Sequence, residues 1–303
     1  MPVLSVIIPA YNPRRDYLAR VLAALAAQTL PPAEWELVIV DNNSQPPLPA
    51  DLARSGHPGG RVVREQKTGL TAARLAGFAA TSGEIVVLVD DDNVLAPDYL
   101  ATAAALAREN PKLGTWSGAV ELEFAPGVAE PPRAWWGYLA HRAPAAVAVS
   151  GEIDHHDSTP WGAGMCIRRA VVDAYVELVT REKARASLDL QGKQLVYGGD
   201  TDIAYTGCDR GWTKGVFPAL RLVHLIPAER CTEEYFQRSI EGRGYSEQLH
   251  RLIRHGRMED PRQSAWRRFS DWWHAVKAGR AARIELAARR RGLERGWREL
   301  RQP

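Results

Sequence analysis

Cysteine is scarce in this chain of 303 residues. Only Cys166, Cys208 and Cys231 are present, far apart, odd in number and without a C-x-x-C pair. That argues against a disulfide framework and a structural zinc site, and fits reduced thiols in a cytosolic protein. No apolar run approaches the roughly 20 residues needed to span a bilayer. The opening "MPVLSVIIPAYN" carries no basic residue ahead of its apolar stretch and soon turns polar, so no secretory leader is expected. A G-x-G-x-x-G after the first apolar run is missing too, which argues against a dinucleotide-dependent dehydrogenase. There is no internal repeat and no low-complexity segment.

What is present is an ordinary 45% hydrophobic fraction and a lopsided charge. From Pro261 onward, 12 Lys/Arg face 4 Asp/Glu, a net of +8, whereas residues 1–260 hold 27 basic against 32 acidic, a net of −5. A mildly acidic body therefore carries a basic tail. The expected division is a body of residues 1–260, in two halves that meet at residues 110 and 111, followed by an extension over 261–303.

Along the body, continuous apolar segments alternate with helical ones. "VLSVII", "WELVIVD", "RVVRE" and "EIVVLVD" read as strands. "RRDYLARVLAALAAQT", "GLTAARLAGFAAT" and "PDYLATAAALAREN" read as helices, the last with Pro97 in its first turn. Strands of this kind, apolar at every position, belong to a mostly parallel sheet covered on both faces. The second half is less regular. "GTWSGAVELEF", "TKGVF" and "LRLVHLI" predict strands, "PRAWWGYLAHR" a short aromatic helix, and "RRAVVDAYVELV" and "GDTDIAYTGCDRG" helices. From Thr232 the chain reads as mostly helical.

Polar and acidic residues gather at the carboxyl ends of the parallel strands, where open α/β sheets bind ligands. The fourth strand runs straight into Asp90, Asp91 and Asp92. Three adjacent carboxylates repel one another, so a cation is expected among them. On extended chain, Asp90 and Asp92 would point the same way and converge on one hard divalent ion. The competing reading is a solvated capping cluster ahead of Pro97.

In this company the chain resembles glycosyltransferase family 2, inverting enzymes of the GT-A fold that use nucleotide-diphospho-sugars. The resemblance covers roughly residues 3–245 and rests on "SVIIPAYN", "VIVDNNS", "GLTAARLAGFAATSGEIVVLVDDDN", "WGAGMCIRRA", "YGGDTDIAY" and "HLIPAER". It implies that Pro9, Ala10 and Tyr11 hold the nucleoside and that Asp41 meets the base or ribose. Lys67, Gly69 and Arg74 would line the donor loop, with Lys67 or Arg74 adding positive charge near the phosphates. Asp92 would bind Mn²⁺ or Mg²⁺, with Asp90 nearer the ribose and metal-bound water, Asp91 beside them, His224 a third ligand and Arg230 reaching the diphosphate. Trp161, Gly162, Ala163, Gly164 and Gly199 would line the sugar or acceptor pocket. Asp200 would be the base that takes the acceptor's proton, although the family's usual Glu-Asp is Gly199-Asp200 here, and Asp200 also suits a helix N-cap. Trp135 and Trp136 read by default as packing, Trp161 as the stacking candidate. His155 and His156 lack the further ligands of a separate metal site.

The expected activity is metal-dependent, inverting hexosyl transfer from a UDP-, GDP- or dTDP-sugar to a carbohydrate, lipid-linked or other hydroxyl acceptor, in polysaccharide, glycolipid or other cell-envelope glycoconjugate synthesis. Alternatives are a nucleotidyltransferase, which would want a Gly-rich basic N-terminal signature, or a non-catalytic sugar-nucleotide module, which would be expected to lose its carboxylates. A processive membrane synthase is disfavoured without spanning segments or Q-x-x-R-W. In the tail, Trp266, Phe269, Trp273 and Val276 fall three and four apart on one helical stripe with arginines around it. That pattern suits packing on the body, pairing with a second subunit, or lying on an anionic membrane, the inner face of the membrane being the expected place of a cytoplasmic enzyme. Nothing supports nucleic-acid binding.

Overall fold

The computed structural model describes residues 2–188, 196–262 and 265–301. In chain order the elements are β1 (Leu4–Ala10), α1 (Arg15–Ala26), β2 (Trp35–Asp41), β3 (Arg61–Arg64), α2 (Leu70–Ala79), β4 (Ile85–Leu88), β5 (Asn93–Leu95) and α3 (Tyr99–Glu109). Then come β6 (Leu113–Phe124), β7 (Ala148–Ser150), β8 (Cys166–Arg168), α4 (Arg169–Arg181), α5 (Gly199–Asp209) and β9 (Thr213–Ile226). Three helices close the chain: α6 (Glu233–His255), α7 (Ala265–Ala278) and α8 (Arg280–Glu299).

Two compact units result. The first joins Met1–Glu123, Ala140–Lys183 and Asp200–Leu225, and carries the sheet. Its strands run in the order β3-β2-β1-β4-β8-β6-β9-β5, with β7 also on β9. The four strands from β3 to β4 are parallel, as their unbroken apolar runs require of strands buried on both faces. Leu4, Val6 and Ile8 of β1 and Leu37 and Ile39 of β2 pack with Leu18, Val21, Leu22 and Leu25, the one apolar face of α1. Each such fully buried side chain contributes about 1.5–3 kcal/mol. Register aligns Ala10 with Asp41 and Asp41 with Arg64, so the polar strand ends form one edge.

Beyond β4 the sheet is mixed. β8 runs antiparallel to β4 and β6, and β5 and β7 run antiparallel to β9. The sequence pattern misses β5, β7 and β8 because each has three residues, too few to show a period. It also splits β9 at Pro218, whereas the strand runs through; a half-exposed proline removes one ladder donor without ending the strand.

The second unit joins Phe124–Leu139, Ala184–Gly199 and Ile226–Pro303. The aromatic stretch Arg133–Leu139 is a 3-10 turn, and Trp135 packs on Phe236 with ring centroids 4.8 Å apart. α8 lies along α6 at backbone contact. A Cβ on Gly292 would collide with the Glu241 carbonyl, and one on Gly244 would stand 2.7 Å from that of Arg289. Four tail arginines turn onto α6 carboxylates: Arg280 to Glu233 and Arg289 to Glu247, each at 2.8 Å, and Arg291 and Arg295 to Glu241 at 3.2 and 3.0 Å. Of the roles open to the tail, α8 thus takes packing within this unit. On α7 the expected stripe faces outward. Trp266, Phe269, Trp272 and Trp273 are exposed and lie in a row with ring centroids 6.0–6.5 Å apart, Phe269 stacked on Trp273 and the other pairs tilted, whereas Ala275 is buried.

Candidate active site

At the polar edge of the first unit, three strand ends are knitted by short side chains. Asp41, buried at the end of β2, accepts from the Ser44 and Leu48 N–H groups at 2.9 and 3.1 Å and from the Arg64 guanidinium. Burial alone would raise its carboxyl, but these hydrogen bonds outweigh it and hold the pKa below the ordinary value. Expected to meet the base or ribose, Asp41 has its oxygens engaged in shaping its own loop. Asn42 accepts from Gly69 N–H at 2.8 Å and donates to the Lys67 carbonyl at 2.7 Å, which fixes the donor-loop candidates. Gly69 opens α2 at φ 133, a conformation reserved for glycine. Asn12, next to the exposed Tyr11, receives the Gln45 N–H at 2.8 Å and gives its own N–H to Ser44 at 2.9 Å, so the loops after Pro9-Ala10 and after β2 hold each other. Asn12 and Asn42 went unnoticed in the sequence, where asparagine reads only as a turn former.

The aspartate run is a turn and not extended chain: Asn93 N–H returns to the Asp90 carbonyl at 3.0 Å. Asp90 and Asp92 therefore do not alternate along a strand. The turn buries Asp92 and starts β5, which pairs Asn93 with His224. His224 Nε2 stands 3.3 Å from Asp92 Oδ2, the two side chains about one-tenth exposed, and the Leu225 N–H bonds the Asp92 carbonyl at 2.9 Å. Two ligand atoms about 2.1 Å from one octahedral ion stand about 3 Å apart, so this carboxylate–imidazole pair fits a shared divalent cation. Among the described residues no group of three or more His, Cys, Asp and Glu is assembled for a metal. Asp90 thus does not complete a preformed cage with Asp92 and His224. Two protein ligands with open positions suit an ion whose remaining ligands come from a diphosphate.

The third cluster reaches the same edge through β8. Leu88 N–H bonds the Met165 carbonyl at 2.8 Å and Met165 N–H the Gly162 carbonyl at 3.1 Å, which sets Gly162 beside the end of β4. Gly162 N–H then donates to Asp200 Oδ2 at 2.7 Å, and Thr201 N–H to Oδ1 at 2.8 Å. A Cβ on Gly162 would lie 3.3 Å from Arg74 Nη2 and 3.4 Å from Asp200 Oδ2, so guanidinium, glycine and carboxylate meet here. Ala163 is packed in the core, and Gly164, at φ 68, receives the Tyr99 hydroxyl on its carbonyl at 2.7 Å. Trp161 lies under the Arg142 guanidinium, 4.8 Å from the ring centroid. Gly199 and Arg230 belong to the second unit, Gly199 N–H bonding the Leu188 carbonyl at 2.9 Å and Arg230 sitting in a short turn over Ala228–Cys231.

A model of glycosyl transferase family 2 matches residues 5–169, more than half of the chain. The chain belongs to that family. Among its relatives are an uncharacterized glycosyltransferase, YwdF, of Bacillus subtilis, 31% identical over 101 residues that make up 33% of this chain and 37% of the relative. The glycosyltransferase AglE of Haloferax volcanii is 32% identical over 30% of this chain and 31% of its own length. Succinoglycan biosynthesis protein ExoW of Rhizobium meliloti is 32% identical over 34% and 33%. The chain spans only about a third of each of these relatives. In fold, it is similar to S. aureus TarS 1-349 solved with UDP-GlcNAc, at a TM-score of 0.51, with 14% identity, 99% of this chain and 92% of that one covered. The family-2 chain thus has the expected GT-A architecture, a mixed sheet between helices, with a helical C-terminal region.

Proposed function

We propose that this family member is a metal-dependent, inverting hexosyltransferase that moves a sugar from a nucleoside-diphosphate donor to an acceptor hydroxyl. The observation that carries the reading is the Asp200 carboxylate, aligned by the Gly162 N–H at 2.7 Å beside Arg74, on the sheet edge that also bears the Asp92–His224 pair. Asp200 takes the acceptor hydroxyl's proton as that oxygen attacks the anomeric carbon opposite the leaving group. The backbone N–H groups on its oxygens orient it, and the loops fixed by Asn12 and Asn42 hold Tyr11, Lys67 and Gly69 for the nucleoside and phosphates. Arg74 adds positive charge at the reacting centre. Asp92 and His224 would hold Mn²⁺ or Mg²⁺, which when bound neutralises charge on the departing diphosphate. Asp90 and Asp91 would face the donor.

TarS, solved with UDP-GlcNAc, and ExoW, named for succinoglycan biosynthesis, support a nucleotide-sugar donor and a role in polysaccharide, glycolipid or other envelope glycoconjugate synthesis. The exposed aromatic face of α7, in a tail of net +8, supports a peripheral position on an anionic membrane. Incubation with Mn²⁺ and a panel of UDP-, GDP- and dTDP-sugars, with hydrolysed donor measured by chromatography, tests the activity. Turnover of one donor that stops on chelation is expected; release of no nucleoside diphosphate from any of them would overturn the reading.

A further inference from the structure

Lys214 of β9 is fully buried, yet no carboxylate lies within ion-pair range of its ammonium among the described residues. A buried cation is costly unless its donors are used, and burial pushes its pKa below the ordinary value. Its donors go to one place. Nζ gives hydrogen bonds to the His155 carbonyl at 2.6 Å and to Ser158 Oγ at 3.0 Å, with the Tyr205 ring centroid 6.0 Å away. Ser158 Oγ in turn donates to the His155 carbonyl at 2.9 Å.

Arg142 works on the same loop. Its Nη2 donates to the Asp157 carbonyl at 2.7 Å and its Nη1 to the Thr159 carbonyl at 2.6 Å. The same guanidinium covers the Trp161 ring. Arg142 is itself fixed by a two-way backbone bridge to Val120 of β6, at 2.9 and 3.1 Å. Three alternate carbonyls, those of residues 155, 157 and 159, are therefore captured by two cations rooted in the sheet. The loop's next N–H groups follow suit: Trp161 N–H bonds Ser117 Oγ at 3.2 Å, and Gly162 N–H bonds Asp200 at 2.7 Å. A surface loop would ordinarily sample many conformations. This one is held at every second residue up to the donor that orients the Asp200 carboxylate.

We propose that Lys214 and Arg142 are positioning residues for Asp200, holding the 154–162 loop so that the Gly162 N–H fixes the carboxylate in its reactive orientation. The proposal rests on the reading of Asp200 as the base. Lys214 touches neither substrate nor reacting atoms; it acts through the loop. Methionine matches its length and apolar stem, so Lys214→Met removes the charge and donors while filling the same space.

Hydrogen exchange of the full-length protein, read by NMR or by mass spectrometry, tests the clamp without any ligand. In Lys214→Met the amides of residues 156–159, 161 and 162 should exchange at least about tenfold faster, with the amides of β1, β2 and β4 unchanged. Lys214→Arg, which keeps a cation, should restore most of the protection. Unchanged exchange in the loop would overturn the proposal, as would equal acceleration throughout the sheet. If Lys214→Met does not fold, Arg142→Gln, whose cation lies nearer the surface, gives the same loop readout. Kinetics then link the clamp to the base. Lys214→Met should lower kcat by about a hundredfold with the donor KM kept, since misplacement of about 1 Å costs that much. In an Asp200→Asn background the same substitution should cost nothing more, because it acts through Asp200. Losses that multiply would overturn the link. Loop exchange that responds in a protein showing no transferase activity would instead leave the clamp standing and sink the assignment of Asp200 as base.

Discussion

Asp200 separates orientation from chemistry. Its two oxygens each accept a backbone N–H, at 2.7 and 2.8 Å, which aligns the carboxylate whatever its partner in solution. Asparagine keeps the shape and an accepting oxygen but loses basicity. Asp200→Asn should therefore bind donor normally while kcat falls by about 10²–10⁴; calorimetry beside steady-state kinetics separates the two, and a loss of donor affinity at full turnover would make Asp200 a binding residue. Asp92 makes the complementary prediction. Chelation should stop donor turnover and Mn²⁺ restore it. Asp92→Ala should show neither the activity nor the Mn²⁺-induced rise in melting temperature that the parent shows. Asp41 is a matter of stability. Its folded pKa lies below the unfolded value, so its contribution is complete above about pH 4 and is lost as pH falls through the folded value. Melting temperatures of the parent and Asp41→Asn should thus differ most near neutrality and converge in acid.

Among the elements, α8 explains why the tail is basic without being a free charged arm. Exposed ion pairs such as Arg280–Glu233 contribute little each, about 0–1 kcal/mol. The tighter constraint is the approach of α6 and α8 at Gly244 and Gly292, where side chains would meet backbone. Gly292→Val should force the helices apart and lower the melting temperature by several degrees, since overpacking costs about 1–3 kcal/mol. α7 offers the contrary case. Its four exposed aromatics contact one another and, at Trp273, the Lys277 ammonium 5.2 Å from the ring, all on the outer face of α7, so replacing Trp266, Trp272 and Trp273 with serine should change the melting temperature little. If this face meets a membrane, the parent should sediment with anionic vesicles at low salt and release near about 0.5 M salt, whereas the triple variant should not bind. No sedimentation of the parent at any salt would remove the membrane reading.

At the scale of the whole molecule, the proposed single displacement from the face opposite the leaving group would dictate the product. An α-linked donor should give a β-linked glycoside, read from the anomeric coupling constant by NMR. Retained configuration would contradict the in-line role given to Asp200.

The sequence by itself determined the parallel half of the sheet, because strands buried on both faces must be apolar at every position and "VLSVII", "WELVIVD" and "EIVVLVD" are. It also exposed the aspartate run, three adjacent like charges directly after a buried strand. Tertiary structure decided the rest. That Asp92 pairs with His224, 132 residues away, follows from β5 joining β9, and β5 is too short to carry a pattern. Gly162 meets Asp200 because the three-residue β8 slots between β4 and β6. Asn42, Arg142 and Lys214 looked like ordinary loop and strand residues, and only their captured backbone groups single them out. Periodicity reports which face of an element is buried, whereas a site depends on which elements are neighbours, and that is settled by how the chain packs.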